Sequence, residues 1–590
     1  MSANTSFSSI VSGQALKNDV VSLADAKNDD FDVILNTTQD LLKHLGSPVA
    51  KRRIDIVGDS LGSKVCPIIT VDGQWAILAL PDYVKSEVID TVRSKCIDAG
   101  ASKEGVHLVA VTPYLLLANS QHEKYNVIEV SSDDDTSGHF ATFQDIIRYG
   151  VNNSASDVTL NVADGEPQSQ VYFTIEGQYT APPQWKMDTV RLEELINVAW
   201  QKGAGGGSAV FAQNTEAQCR LVLRINSERI LCRWASLAAD RGVSVTLRLL
   251  TLDRTIKRRS LAEQGLLPSQ IDMLIRAQTA EGGAIVIAGV VNSGKSTLLA
   301  ELMSMIPSTR KVVTLEDPVE YLIPNALQNT VVRSLDGSDD NAFVSKLKTF
   351  KRSAANDILL GEIRDTQTGD AFFDITGSGT NLYCTVHAKS NFQIPERMAS
   401  KSIGIPLDFL ASPGILNVLV YMALMPVLCE HCAKPLSTLA ETGGNDRRGN
   451  YRDADYWAEY IKRIESVFKV DSKTIRIKCD EGCDACRRED LPQLNGYTGR
   501  TAVASILEPQ VDREMLRYIR NNDTLGLQEH CESLNKAPID DPDMTNKSMI
   551  ECAMYKALQG SLDPRDIEQK TMAFDTYERI QKKRLERVVS

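Results

Sequence analysis

The chain has 590 residues, of which 43% are hydrophobic, 24% charged and 6% aromatic, a composition that excludes wholesale disorder and a single small module. At roughly 150 residues per domain, this length predicts about four domains or subdomains. The formal net charge of −12 argues against a general nucleic-acid coat and leaves room only for a local basic groove.

Residues 1–30 are rich in Ser, Asn and Asp without periodicity and read as a flexible tail. They lack the basic start and apolar core of an export signal, so a cytoplasmic protein is expected. Over 31–130, helix-like and strand-like stretches alternate (DLLKHL, PIITVD, WAILAL, EVIDTVRSKCIDAG, VHLVAVT), predicting a small α/β domain. The polar, acidic stretch at 131–139 reads as a linker. From 140 to 255 a helix, FQDIIRYGVNN, precedes short strands SDVTLNV, QVYFTIEGQY, CRLVLRINS, ILCRWAS and VSVTLRLL. The glycine cluster at 203–208 follows no strand and lacks a phosphate-binding lysine, so it reads as a flexible loop. Between 256 and 428, apolar strands alternate with helices as in a parallel sheet covered on both faces. The most apolar stretch, 414–429, is too short for a bilayer needing about 20 residues, and we read it as a buried core helix. Residues 429–508 carry cysteines and read as irregular; 509–590 read as mainly helical, ending in a solvated helix, FDTYERIQKKRLERVV.

The strand AIVIA runs into Gly289-Val-Val-Asn292-Ser293-Gly294-Lys295-Ser296-Thr297 and then the helical pattern LLAELMSMI. This is the G-x-x-x-x-G-K-[ST] phosphate loop in its strand–loop–helix context. Glycines let backbone amides curl around phosphate oxygens, and the helix start adds unpaired N–H groups. Lys295 is expected on the β and γ phosphates of a bound nucleotide and Ser296 on Mg²⁺.

Later strand ends supply what hydrolysis needs. Val-Val-Thr-Leu delivers Glu316, Asp317 and Glu320, which can hold Mg²⁺ through water or orient the attacking water. Ile-Leu-Leu-Gly ends in Glu362, the expected catalytic carboxylate. Leu-Tyr-Cys-Thr-Val delivers His387, placed to hydrogen-bond the γ-phosphate.

Of twelve cysteines, Cys429/Cys432 and Cys483/Cys486 form two C-x-x-C pairs. Two such knuckles can close a tetrahedral Zn²⁺ site, with His431 or Cys479 as alternative ligands. Redox chemistry is the other use of C-x-x-C, but no thioredoxin-like context surrounds either pair.

Taken together, GVVNSGKST, TLEDPVEY, ILLGEIRD and CTVHAKS resemble the traffic ATPases of type II secretion systems and type IV pili. The resemblance spans about 140–570, including SDVTLNV, VYFTIEGQY, and GCDAC followed by GYTGR. It implies a multi-domain α/β chain, with a PAS-like domain at 140–255, a RecA-like ATPase core at 256–428 and a zinc-binding tetracysteine subdomain at 429–508. It further implies a homohexamer that uses Mg-ATP, has its cleft between domains and subunits, and sits peripherally on the inner membrane. The partners implied are a polytopic platform protein of that membrane and secretion or pilus base components; no specific nucleic acid is expected. By the same resemblance Glu316, Asp317 and Glu320 match the aspartate box, Glu362 the Walker B glutamate and His387 the histidine box. Arg233 and Arg248 match arginines that reach the nucleotide from the PAS-like domain, and Arg241 matches less closely. The chain departs from the family at Ala355-Asn356 (Pro-Asp), Thr380 (His) and Met422-Ala423 (Gln-Arg). These departures motivate a nucleotide-gated scaffold with little turnover as a second reading; a DNA translocase is a third.

Overall fold

The computed structural model describes residues 34–589, apart from 36–37, 48, 58–60, 62–63, 103–104, 113–115, 117–128, 131–137, 204–210, 227, 253–258, 332–345, 348, 351 and 447. The expected tail at 1–30, most of the linker and most of the 203–208 loop lie outside the described residues. The chain divides into two bodies, one ending at residue 128 and one beginning at Glu129.

In the first body, period-two alternation decides the architecture. Ile77 and Ala79 point to one face of the strand Trp75–Ala79, and Ala76 and Leu78 to the other. Both faces are apolar, so both are covered: Ile89, Val92 and Cys96 of the helix Glu87–Asp98 pack on one, Leu41 and Leu45 of the helix Thr38–Leu45 on the other. The sheet has four strands in chain order, antiparallel except for the last pair, which the helix Glu87–Asp98 connects.

The second body begins with a one-sided module. Its largely antiparallel sheet includes Ala155–Asn161, Gln168–Ile175, Ala217–Ile225, Glu228–Ala239 and Gly242–Thr251. The helices Gly138–Asn152 and Thr189–Gln201 bury Phe140, Phe143, Leu195 and Trp200 in one core with Phe173 and Trp234. Because alternate residues face opposite ways, Cys232 and Trp234 point into that core and Arg233 points away from it.

The second layer system is a seven-stranded sheet in the order Ala326–Thr330, Val312–Glu316, Asp357–Glu362, Asn381–Val386, Gly283–Ala288, Leu416–Leu428, Tyr497–Leu507. All neighbours are parallel except the last pair. Ala284, Val286 and Ala288 face one core, Ile285 and Ile287 the other. A parallel sheet sandwiched in this way presents ligands with the carboxyl ends of its strands, at the point where strand order reverses.

Three expectations are corrected here. Residues 414–429, read as a buried helix, form the strand Leu416–Leu428, paired with Gly283–Ala288 on one side and Tyr497–Leu507 on the other. A strand buried on both faces is apolar throughout and shows no period of two, so periodicity cannot separate it from a core helix. Pro426 is accommodated at a register shift between Pro426 and Leu428. The block 429–508 is not irregular. It contains the helix Ala454–Phe468, which buries Trp457, Tyr460, Ile464 and Phe468 on one face and is capped by the Asp453 side chain accepting from Tyr456 N–H. It also supplies the last strand of the large sheet. The terminal helix Phe574–Val589 is packed rather than solvated at its start, where Phe574 and Tyr577 meet Phe468. Among the described residues, no helix is long and apolar enough to cross a membrane.

Lys556 joins the large sheet to the C-terminal helices: its ammonium donates to the carbonyls of Gly265 and Ala502 and to the Thr501 hydroxyl. Burial pulls its pKa from 10.5 down to about 8. Between those values the unfolded chain holds more protons, so this group's contribution to stability rises as pH increases through that window. Thermal unfolding of Lys556→Met should show this pH slope removed and stability lowered by about 1–3 kcal/mol through the orphaned acceptors.

Candidate functional site

The strand Gly283–Ala288 ends in a loop whose backbone only small or permissive residues can follow. A Cβ at Gly289 would stand 2.4 Å from the Met422 carbonyl oxygen. Asn292 and Gly294 have φ of 61° and 91°, and Gly294 is the N-cap of the helix Lys295–Ser304. The first N–H groups of that helix and its dipole therefore face the loop's interior. The Lys295 ammonium reaches back over the loop and donates to the carbonyls of Gly289 and Val290, each at 2.9 Å. Burial lowers its pKa, opposed by the charges of Glu362 and Glu320.

Three neighbouring strand ends face this loop. Glu316 ends Val312–Glu316 and accepts from Thr314 Oγ1 at 2.5 Å and Gln328 Nε2 at 3.1 Å; burial raises its pKa. At Gly361 the pairing of Asp357–Glu362 with Asn381–Val386 slips by one residue. Such a bulge re-aims the following side chain, and Glu362 Oε1 lies 3.2 Å from His387 Nε2.

The second module closes the cleft from the other side. Arg233 and Arg248 are directly opposed on adjacent strands, and Asp157 is opposite Arg248 on the next. Like charges in cross-strand register repel, and each arginine here has its own acidic neighbour. Arg233 Nη1 donates to the Asp317 carbonyl at 3.1 Å, and Arg248 Nε donates to Asp157 Oδ1 at 3.1 Å. The two halves also touch at the loop itself, where Asn292 Nδ2 donates to Ser156 Oγ at 3.0 Å.

The resulting cleft, about 580 Å³, is lined by Asn292 to Thr297, Glu316, Asp317, Glu320, Glu362, His387, Arg233 and Arg248. All site residues expected around the nucleotide are thus brought together, except that Gly289 shapes the loop without lining the cleft. Arg241 is not in it; it lies in the turn between Glu228–Ala239 and Gly242–Thr251. Three charged or aromatic lining residues carried no role in the sequence reading. Arg364, two residues after Glu362 in GEIRD, places Nη2 3.6 Å from Asp317 Oδ2. Tyr321 meets Thr297 Oγ1 at 3.1 Å. Arg500 enters from the GYTGR segment, far away in sequence. The departures from the family pattern, Ala355-Asn356, Thr380 and Met422-Ala423, do not line the cleft, although the Met422 methyl would lie 3.3 Å from a Cβ on Gly294.

The four cysteines converge. Sγ separations are 3.7 Å for Cys429–Cys483, 3.6 Å for Cys432–Cys486 and 3.8 Å for Cys483–Cys486, with all four sulfurs within 4.8 Å of one another. A tetrahedron of sulfurs about 2.3 Å from zinc has edges of about 3.8 Å, so the group fits that metal. Burial tends to raise the Cys486 thiol, but donation from Cys483 N–H and Gly496 N–H and from neighbouring thiols brings it down to about 7. His431 and Cys479 are not in the cluster: His431 is exposed, and Cys479 Sγ donates to Glu481 at 3.1 Å.

A family model described as Type II/IV secretion system protein matches residues 140–545. The type II secretion system ATPase E of Vibrio cholerae is 30% identical over 289 residues, 49% of this chain and 50% of that one. The type II secretion system protein E of Pseudomonas aeruginosa is 29% identical over 217 residues, 37% of this chain and 41% of that one. The chain thus spans about half or less of the length of these relatives. Among solved structures, the ATPase DotB of Legionella pneumophila shares 17% identity at a TM-score of 0.46, covering 74% of this chain and 97% of that one. The pilus retraction motor PilT with bound ADP shares 15% at 0.43, covering 74% and 98%.

Proposed function

The chain belongs to the type II/IV secretion system protein family, and from that premise we propose that it is an ATPase that hydrolyses Mg-ATP to power type II secretion or type IV pilus assembly. The observation that carries this reading is the convergence of Lys295, Glu362 and His387 from one module with Arg233 and Arg248 from another on a single cleft.

The loop amides and Lys295 hold the β and γ phosphates. Bound Mg²⁺ supplies charge neutralisation of those phosphates, and the Ser296 hydroxyl is the group that would hold it, with Glu316, Asp317 and Glu320 as carboxylates in reach of its waters. Glu362 accepts a proton from the attacking water as the new O–P bond forms and the bond to the ADP oxygen breaks. His387, 3.2 Å from Glu362, orients that carboxylate and the departing γ-phosphate. Arg233 and Arg248 stabilise the charge spread over the transferring phosphoryl group. Because they sit on a separate module, rotation of that module switches the chemistry on and off.

In this reading the chain works as a homohexamer on the cytoplasmic face of the inner membrane, moving a polytopic platform protein of the secretion or pilus base. The 140–255 and 256–428 domains act as its PAS-like and RecA-like halves. Zinc in the Cys429/Cys432/Cys483/Cys486 site is a structural staple. Elemental analysis should find about one zinc per chain, and stripping it should unfold the cysteine module; a fully folded metal-free protein would remove that assignment.

The motif departures favour one second reading, a nucleotide-gated scaffold of the same fold. Phosphate release by the purified chain decides between them: Mg²⁺-dependent turnover above the Lys295→Ala background supports the enzyme, and equal release from both supports the scaffold. Stimulation by DNA that fades with added salt would instead point to a translocase.

A further inference from the structure

Between Cys486 and the strand Tyr497–Leu507 the chain detours across the second module. Leu491 and Leu494, 1% and 0% exposed, join the aromatic core that contains Phe173 and Trp234. Arg488 Nη2 donates to Glu176 Oε1 at 2.6 Å, and Asp490 Oδ2 accepts from Gln184 Nε2 at 2.9 Å. The detour is itself braced: Arg488 N–H donates to Asn495 Oδ1, and Gly496 N–H to Cys486 Sγ.

Its counterpart, Glu176, is unusual. Glu176 and Gly177 form the two-residue turn between Gln168–Ile175 and Gln178–Thr180, with φ of 52° and 80°. The first position of such a turn favours Asn, Asp or Gly, because side chains with a longer stem rarely adopt positive φ. The Glu176 side chain is 15% exposed; with Oε1 taken by Arg488, the buried Oε2 has no hydrogen-bond partner among the described residues. On the next residue of the turn, a Cβ at Gly177 would stand 4.0 Å from Nη1 of Arg500, a second cation near this turn, which lines the nucleotide cleft. Burial lowers the Arg500 pKa, and the Glu176 charge opposes that.

We propose that Glu176 and Arg488 are positioning residues: the Arg488–Glu176 clasp, anchored by Leu491 and Leu494, fixes Arg500 in the cleft and ties the cysteine module to the nucleotide through one carboxylate. The inference rests on the hydrolytic reading of the cleft for its kinetic arm and on packing alone for its structural arm. Both are tested on the full chain. Glu176→Gln keeps the side chain's shape; it should speed amide exchange over 487–495 several-fold and lower kcat about tenfold, with KM for Mg-ATP within about twofold. Arg488→Met should match it, and Arg488→Lys should retain most of the wild-type rate. In an Arg500→Ala background Glu176→Gln should cost nothing further, because both act through one guanidinium. Unchanged exchange, or losses that add in the double variant, would overturn the proposal. If the wild-type chain releases no phosphate, the hydrolytic reading fails, and the exchange comparison alone decides the clasp.

Discussion

Replacing Glu362 by Gln is expected to lower the phosphate-release rate about 10²- to 10⁴-fold while leaving ATP binding nearly intact. The amide keeps the volume and one acceptor of the carboxylate but cannot take the proton of the attacking water. Its position comes from the slip in pairing at Gly361, which turns the side chain toward His387 and the phosphate loop. Binding is expected to persist because the loop amides, Lys295 and Ser296 are untouched. Lys295→Ala should behave differently, weakening nucleotide binding itself. Equilibrium binding of a labelled ATP together with single-turnover hydrolysis separates the two. A Glu362→Gln variant that hydrolyses within threefold of wild type would remove Glu362 from the proposed mechanism.

The second large effect is expected at Arg233. Its guanidinium lies against the Asp317 carbonyl at the edge of the cleft, and an arginine on a transferring phosphoryl group contributes about 10³- to 10⁵-fold, or roughly 4–7 kcal/mol of barrier. Arg233→Ala should therefore reduce kcat by about 10³-fold. Arg233→Lys should recover little, since an ammonium lacks the planar fork that spans two phosphate oxygens. The thermal midpoint should barely move, because Arg233 faces away from the module's core while Cys232 and Trp234 fill it. Removing Arg233 also relieves its repulsion with Arg248 across the strands. Steady-state kinetics beside thermal unfolding checks both halves, and a large fall in midpoint with unchanged kcat would make Arg233 structural.

The legibility of these residues followed from how local their signals are. The phosphate loop is read from nine consecutive residues because strand, turn and helix start are all encoded there. Glu316, Glu362 and His387 each follow a short apolar strand, so chain order alone puts them at the same sheet edge. Arg233 and Arg248 needed the family resemblance, since an arginine on a strand carries no mark of what it faces. Arg500 and Glu176 had no local mark either. Arg488 reaches Glu176 only through a detour that carries Leu491 and Leu494 into the core of another module. The strand Leu416–Leu428 is illegible for another reason: burial on both faces removes the pattern by which a strand is recognised.

By itself, the amino-acid sequence determined which chemistry the chain carries: a phosphate loop, two acidic strand ends, a third that ends in a histidine, and two cysteine pairs at knuckle spacing. Backbone conformation and side-chain type over a few neighbouring residues suffice for each of these. Only the tertiary structure decided that residues 416–428 form a strand between Gly283–Ala288 and Tyr497–Leu507, that the four sulfurs stand within 4.8 Å of one another, and that Arg233, Arg248 and Arg500 share a cleft with Lys295. Those facts depend on how apolar surfaces from distant segments exclude water together, and burial of that kind carries no signature in any single stretch of sequence.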